Sequence, residues 1–285
     1  MLYYYAYTGH KIGLDRAKRG VAVIKALQEE GVSCQLLVND FRAGVALKEH
    51  GLREYVTIET IQDIDAIAQM GDSIIIDSNE DDHGRLVKYV ADFKQVWRFA
   101  HDRDDKSIHG EILFREACES DRCIDSVIID REYFELIDKV ESVRFFLGDA
   151  DYDKTILGNG DFFKQFDMDL ILGHYFFVKY EDDLAKIFSS LIEPEEYIES
   201  IKESRTVVTC SSQTALEAKA SGADTIYIIW EKEPLYTQEL LQRYGIKTIA
   251  GFDAKSLKEA LQESTQEETG EALSPWCAKE ILQNL

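Results

Sequence analysis

The sequence predicts an α/β protein of two Rossmann-like lobes with mainly parallel sheets and a cleft between them. Three observations carry this expectation. Segments of strand and helix periodicity alternate along the chain, and beyond residue 140 the alternation starts afresh. Inner strand candidates are short, continuous apolar runs such as Ser73–Asp77 (SIIID), the pattern of a parallel strand covered on both faces. The length, 285 residues with 45% hydrophobic content, exceeds a usual single domain and fills two cores.

The elements follow in order. Residues 2–7 are strand-forming aromatics that break at Thr8-Gly9-His10, and 14–30 carry apolar residues at helical spacing up to a stop at Gly31. A strand at 34–38, a helix at 41–49 ending at Gly51 and a helix at 61–69 ending at Gly71 come next. Strand 73–77, helix 84–93 and strand 96–100 continue the pattern; 101–122 are charged and weakly periodic, and strand 123–130 (CIDSVIID) closes the first lobe. The second alternation reads strand 143–147, helix 154–166, strand 169–174 and helix 182–190, then helix 195–203 entered through Pro194. Strand 206–209, helix 214–220, strand 225–229, helix 235–244 and strand 247–249 complete it. Residues 263–274 read as a polar, mobile linker and 275–285 as a short amphipathic helix that docks back. The expected domains are 1–140, 141–262 and a tail of 263–285.

Composition narrows the function. A formal charge of −22, from 54 acidic against 32 basic residues, sets a field that repels phosphate backbones and anionic headgroups. Nucleic acid and membrane surfaces are therefore not expected partners, although Lys11, Arg16, Lys18 and Arg19 form a local basic cluster suited to a small anion. Five cysteines, an odd number at irregular spacing, predict reduced and mostly buried thiols. With no basic leader before the apolar start and no apolar run of bilayer length, the expected location is the cytoplasm, with no integral membrane segment.

In open parallel sheets a ligand lies outside the carboxyl ends of the strands, so the residues just after each strand are the candidates. The sharpest is TCSSQTALEA: small hydroxyl residues after a strand, opening a helix whose first N–H groups and positive dipole end suit a phosphate. Ser211 and Ser212 either hold an anion there or supply the helix N-cap. Glu217, one turn on, either accepts from ribose hydroxyls or is an exposed helical glutamate. His10 is a general base, a phosphate ligand or a solvated loop histidine. Asp77, ending a buried strand, either positions a substrate or catalytic group or caps the following helix. The loop holding His101, Asp102, Asp104, Asp105 and His109, with Cys118 and Cys123 beyond, fits no zinc spacing, so neither a metal nor a cofactor is expected. Absence of G-x-G-x-x-G, G-x-x-x-x-G-K-[ST] and G-x-S-x-G weighs against dinucleotide oxidoreductases, P-loop NTPases and α/β-hydrolases.

Several stretches, taken in order, carry a resemblance: KIGLDRAKR, IIIDSN, HDRDD followed by CIDSVIID, FFLGDAD and, most specifically, VVTCSSQTALEAKASGA. To about residue 260 the chain resembles the GT-B-fold nucleotide-sugar family that groups the pseudaminic-acid-pathway UDP-sugar hydrolase with the spore-coat polysaccharide glycosyltransferases. The resemblance implies a nucleotide-sugar-dependent, metal-independent glycosyltransferase of surface-polysaccharide or glycan biosynthesis, reacting in the interlobe cleft. Its second lobe would hold a UDP-sugar or related donor and its first a soluble sugar or protein acceptor. Gly13 and Gly148 stand in the two glycine loops, Ser211, Ser212 and Gln213 near the diphosphate, Glu217 on the ribose, and Tyr236 and Thr237 by the pyrophosphate or sugar. His10 or Asp77 would be the base.

Two positions depart from the family pattern. Leu14 stands where its G-x-G-H histidine belongs, and Asp149 replaces the second member of a glycine pair, putting a carboxylate where a diphosphate approaches unless a cation or loop shift compensates. They keep two alternatives open: a UDP-sugar hydrolase of the pseudaminic-acid type with His10 as the replacement, and a catalytically inactive binding or scaffold protein.

Overall fold

The computed structural model describes residues 1–118, 122–230, 234–262 and 270–285. It divides into two units, one of Met1–Gly9, Arg16–Asp130 and Pro275–Leu285, the other of His10–Asp15 and Arg131–Ser274. The first contains β1 (Leu2–Ala6), β2 (Cys34–Val38), β3 (Tyr55–Thr57), β4 (Ser73–Asp77), β5 (Gln95–Phe99), β6 (Ile112–Arg115) and β7 (Cys123–Asp125). They form one all-parallel sheet in the order β3-β2-β1-β4-β5-β6-β7. The second contains β8 (Val140–Phe146), β9 (Asp169–Ile171), β10 (Leu191–Ile192), β11 (Ser204–Thr209), β12 (Asp224–Ile229) and β13 (Lys247–Ala250), also all parallel, ordered β10-β9-β8-β11-β12-β13. Each sheet therefore runs outward from its first strand and reverses at the fourth, the doubly wound order, which gives each unit one switch point: β1/β4 and β8/β11.

Burial explains the strand sequences. β1 (LYYYA) and β4 are buried at every residue, so even their tyrosines lie inside and their hydroxyls find partners: Tyr4 donates to Asp77 at 2.7 Å and Tyr5 to Glu80. The second unit's core is aromatic, with Phe145, Phe162, Phe163 and Phe188 packed ring to ring and Phe252 against Phe162 and Phe163.

Several expectations need correction. β3, β6 and β10 were not anticipated, nor was the helix Ala254–Gln262. The helix expected at 154–166 is two pieces, Thr155–Gly158 and Gly160–Phe163; Asn159 sits between two glycines and its side chain donates to the Thr155 carbonyl at 2.8 Å, competing with the helical ladder. The helix expected at 182–190 lies earlier, at Val178–Leu184, and 61–69 is a 3₁₀ turn, Ile61–Ala66, with a Thr60/Asp63 capping box. Nor are all the cysteines reduced. Parallel β6 and β7 bring Cys118 and Cys123 to a Cα separation of 5.6 Å, and the two are joined as a disulfide; Cys34 and Cys210 are free and buried, and Cys277 is free and exposed. Most of the expected linker, 263–269, lies outside the described residues. Within the first unit, Trp276 N donates to the Ile129 carbonyl at 3.3 Å, and the helix Lys279–Leu282 buries Ile281.

Candidate functional site

The second unit's switch point gathers most of the candidate residues. Thr209 of β11 pairs with Phe146 of β8, and Cys210 N donates to the Phe146 carbonyl at 3.1 Å, so the loops Leu147-Gly148-Asp149 and Cys210-Ser211-Ser212 leave adjacent strands at the same level. Gly148 turns the chain at φ +141°, and no atom lies within 4 Å of where its Cβ would be.

The β11 loop opens the helix Ser212–Ala220. Ser211 is its N-cap, accepting from Thr214 N at 3.0 Å, and the same hydroxyl donates to Asp15 Oδ2 at 2.6 Å. Ser211 therefore caps the helix, and its hydroxyl proton goes to an internal carboxylate at the helix's positive end. Ser212 Oγ accepts from Tyr236 N at 3.2 Å. Glu217 is 2% exposed rather than a surface residue. Its Oε1 accepts from Gln213 Nε2 at 2.9 Å and its Oε2 from the Tyr197 hydroxyl at 2.6 Å. Gln213 Oε1 in turn accepts from the Tyr236 hydroxyl at 3.1 Å, and Thr214 Oγ1 lies 2.8 Å from the Tyr197 hydroxyl. Burial, and then the Glu217 charge, push the Tyr197 phenol well above its ordinary range. All these side chains except Asp15 are buried, and mutual hydrogen bonding offsets their desolvation. Thr237 caps the next helix, Gln238–Arg243, accepting from Leu240 N at 3.3 Å.

Asp149 faces the other way along the strand row, toward the exit of β9. Its Oδ1 lies 3.1 Å from His174 Nδ1, and Tyr175 N donates to its carbonyl at 3.0 Å. Gly173 permits the approach, since a Cβ there would stand 2.6 Å from the Asp149 backbone.

The segment His10–Asp15 belongs to this second unit. His10 is exposed, its ring 5.5 Å from that of Tyr152, and Lys11 Nζ lies 4.6 Å from the centroid of the same tyrosine, which is 57% exposed. Gly13 turns at φ +84°, and Leu14 is fully buried, a core residue where the resemblance implies a histidine.

Asp77 lies at the first unit's switch point. It is 1% exposed, gripped by Arg19 through Nε at 2.9 Å and Nη2 at 2.6 Å, with the Tyr4 hydroxyl as a third donor. Arg16 approaches to 3.7 Å and Arg19 also covers the Phe99 ring. Asp77 thus neither caps the following helix nor has oxygens open to a substrate, and two members of the basic cluster serve an internal carboxylate. The acidic HDRDD stretch is likewise structural: Asp105 and Glu111 hold buried Arg98. Burial acts to raise the Asp105 carboxyl, but hydrogen bonds from Arg98 and the His101 N–H outweigh it and bring it down to about 2. Among the described residues, His, Cys, Asp and Glu form no group of three or more that could hold a metal ion, and no helix is long and apolar enough to cross a membrane.

Sequence reasoning missed Asp15 and Tyr197 and gave His174 no role. The signal for His174 was its place just after a strand; Tyr197 carried none, because its partner lies 20 residues away across the fold.

No protein-family model and no curated protein matches the chain. Solved structures do. The UDP-GlcNAc 2-epimerase of Neisseria meningitidis bound to UDP-GlcNAc is 12% identical with a TM-score of 0.62, each chain covered to 99%. The Methanocaldococcus jannaschii UDP-GlcNAc 2-epimerase in complex with UDP-GlcNAc and UDP gives 12%, 0.59 and 99% of each chain. E. coli heptosyltransferase WaaC with ADP gives 11% and 0.51, covering 94% of this chain and 99% of its own. In element order and sheet topology this protein has the two-unit α/β fold of the GT-B type that these epimerase and transferase structures share.

Proposed function

We propose that this protein is a nucleotide-sugar-dependent enzyme, a glycosyltransferase of surface-polysaccharide or glycan biosynthesis, whose second unit takes the donor by its diphosphate. One observation carries the reading. Gly148, Asp149, Ser211, Ser212 and Gln213, far apart in sequence, emerge together at the β8/β11 switch point, where a doubly wound sheet accepts ligands, beside the positive end of a nine-residue helix. That similar folds have been solved with UDP, UDP-GlcNAc or ADP supports the ligand class. In this reading Ser211 and Ser212 meet the diphosphate, Tyr236 and Thr237 flank it, and Glu217 reaches the ribose by exchanging its Gln213 hydrogen bond for a ribose hydroxyl. The acceptor is a soluble sugar or protein.

His10 is the base this reading retains, being exposed beside Tyr152 and Lys11; Asp77, clamped by Arg19, is set aside. The same exposure supports the second reading, hydrolysis of a UDP-sugar with His10 acting on water. Buried Leu14 supports the third, a non-catalytic binder.

Melting with UDP, other nucleoside diphosphates and a UDP-sugar panel tests the site. A ligand at a hundred times its Kd adds about 2.7 kcal/mol to the folded state, so a clear rise in Tm with UDP is expected. No rise with any nucleotide contradicts the proposal. UDP release that requires an acceptor separates transfer from hydrolysis, and His10→Ala abolishes either if His10 is the base.

A further inference from the structure

Tyr152 follows the Gly148 loop and is 57% exposed, yet the chain holds it firmly. Asp151, just before it, accepts from Thr155 N at 2.6 Å, from Ile156 N at 3.1 Å and from the Tyr180 hydroxyl, so both of its oxygens fix the turn into the helix Thr155–Gly158. Lys154 closes that turn at φ +53°, in the left-handed region that side chains seldom adopt. The turn presents the Tyr152 ring outward, whereas the unit's other large rings pack into its aromatic core.

The segment His10–Asp15, part of the same unit, meets this ring. Lys11 Nζ lies 4.6 Å from the ring centroid and the His10 ring 5.5 Å away, tilted by 49°. Of the four basic residues clustered near the first glycine, Arg16 and Arg19 serve Asp77 and Lys18 is buried; Lys11 is the exposed member, and its ammonium rests on Tyr152. The other end of the segment is tied to the donor helix, where the Ser211 hydroxyl donates to Asp15 Oδ2 at 2.6 Å. The chain from Lys11 to Asp15 spans at most about 14 Å. The ring is thereby kept near the N-terminus of the helix Ser212–Ala220.

In the donor-site reading the nucleotide runs toward that N-terminus, with its ribose at Glu217 and its diphosphate at Ser211. What lies beyond a diphosphate in a nucleotide sugar is the sugar. The segment that leaves Ser211 through Asp15 leads to Tyr152. We infer that Tyr152 is the sugar-binding residue of the donor site: the C–H face of a hexose packs on the open side of its ring, and Lys11 is the positioning residue that fixes the ring. The inference rests on the donor-site reading above. A phenol ring offers a broad apolar face with few torsions to immobilise, and its negative face attracts the C–H groups of a pyranose. His10, beside the same ring, then stands at the sugar end of the nucleotide, where the bond to be broken lies.

Calorimetry on the full chain with uridine, UDP, UDP-glucose and UDP-GlcNAc tests it. Tyr152→Ala is expected to weaken both UDP-sugars roughly fivefold to tenfold, the scale of one aromatic face contact, and to leave UDP and uridine unchanged. Its melting temperature should equal that of the wild type, because the side chain is exposed. Tyr152→Phe keeps the ring and should keep wild-type affinity for all four ligands. Lys11→Met keeps the hydrocarbon stem and removes the charge; a loss of about twofold to threefold, confined to the UDP-sugars, is expected. An equal loss for UDP in Tyr152→Ala makes the ring a nucleotide contact and overturns the inference, and a Lys11→Met loss shared by UDP overturns the positioning role. Unchanged UDP-sugar affinity in Tyr152→Ala, or wild-type protein that binds UDP but neither UDP-sugar, overturns the inference while leaving the donor site standing. Wild-type protein that binds none of the four overturns both.

Discussion

The two switch points have the same topology and opposite chemistry. At β1/β4 the carboxylate that ends the inner strand is closed by Arg19 and Tyr4, a guanidinium grip that joins β1, β4 and the helix Asp15–Glu29. At β8/β11 the carboxylate is paired with an imidazole, and the neighbouring loop buries two serines at a helix N-terminus. A guanidinium is a fixed charge that never gives up its proton, whereas an imidazole can trade its partner and charge within the physiological range. Topology therefore nominates both places, and the side chains set them apart: the first is closed by an internal guanidinium–carboxylate pair, and the second holds an imidazole–carboxylate pair beside a helix N-terminus.

The largest effect expected from this contrast is at the structural switch point. Arg19→Ala leaves buried Asp77 with only the Tyr4 hydroxyl and the more distant Arg16 and should cost about 3–5 kcal/mol, read as a large fall in the urea midpoint. A loss under about 1 kcal/mol would show the pair to be dispensable and erase the contrast. Next comes Gly173→Ala. Its Cβ must push back the Asp149 backbone, so about 1–3 kcal/mol is expected to be lost, read from the urea midpoint. Wild-type stability would mean that the loop yields freely and does not hold the pair. The smallest effect concerns pH. The Asp105 carboxyl is lowered from 3.8 to about 2 in the folded state, so its stabilisation is fully present above about pH 4 and is lost as pH falls through 2. Melting temperatures of wild type and Arg98→Ala should converge across that acid window; a constant gap would contradict the assignment.

How far the sequence revealed this depended on whether a feature was local. β2 (CQLLV) and β4 (SIIID) match the expectation end to end because each is a short, mostly apolar run between polar or glycine stops. β6 (ILFR) is four residues long and hidden among charges whose role is to clasp Arg98, so no periodicity marks it. At the site, a strand followed by small hydroxyl residues exposed Ser211–Gln213 to sequence reading, since cap and helix are contiguous. The bond from Ser211 to Asp15 spans 196 residues and the one from Glu217 to Tyr197 spans 20, and only the fold brings such groups together. Arg16 and Arg19 misled in the opposite sense: clustered basic charge suggested an outside anion, and the anion is Asp77.

The most direct measurement of the central claim is amide hydrogen exchange of the intact protein with and without saturating UDP, followed by peptide. Slowed exchange is expected in peptides covering residues 147–149 and 209–217, at the β8/β11 switch point, with little change in those covering 6–8 and 77–78, at β1/β4. Uniform protection, no protection, or protection confined to the β1/β4 peptides would contradict the assignment of the nucleotide to the second unit.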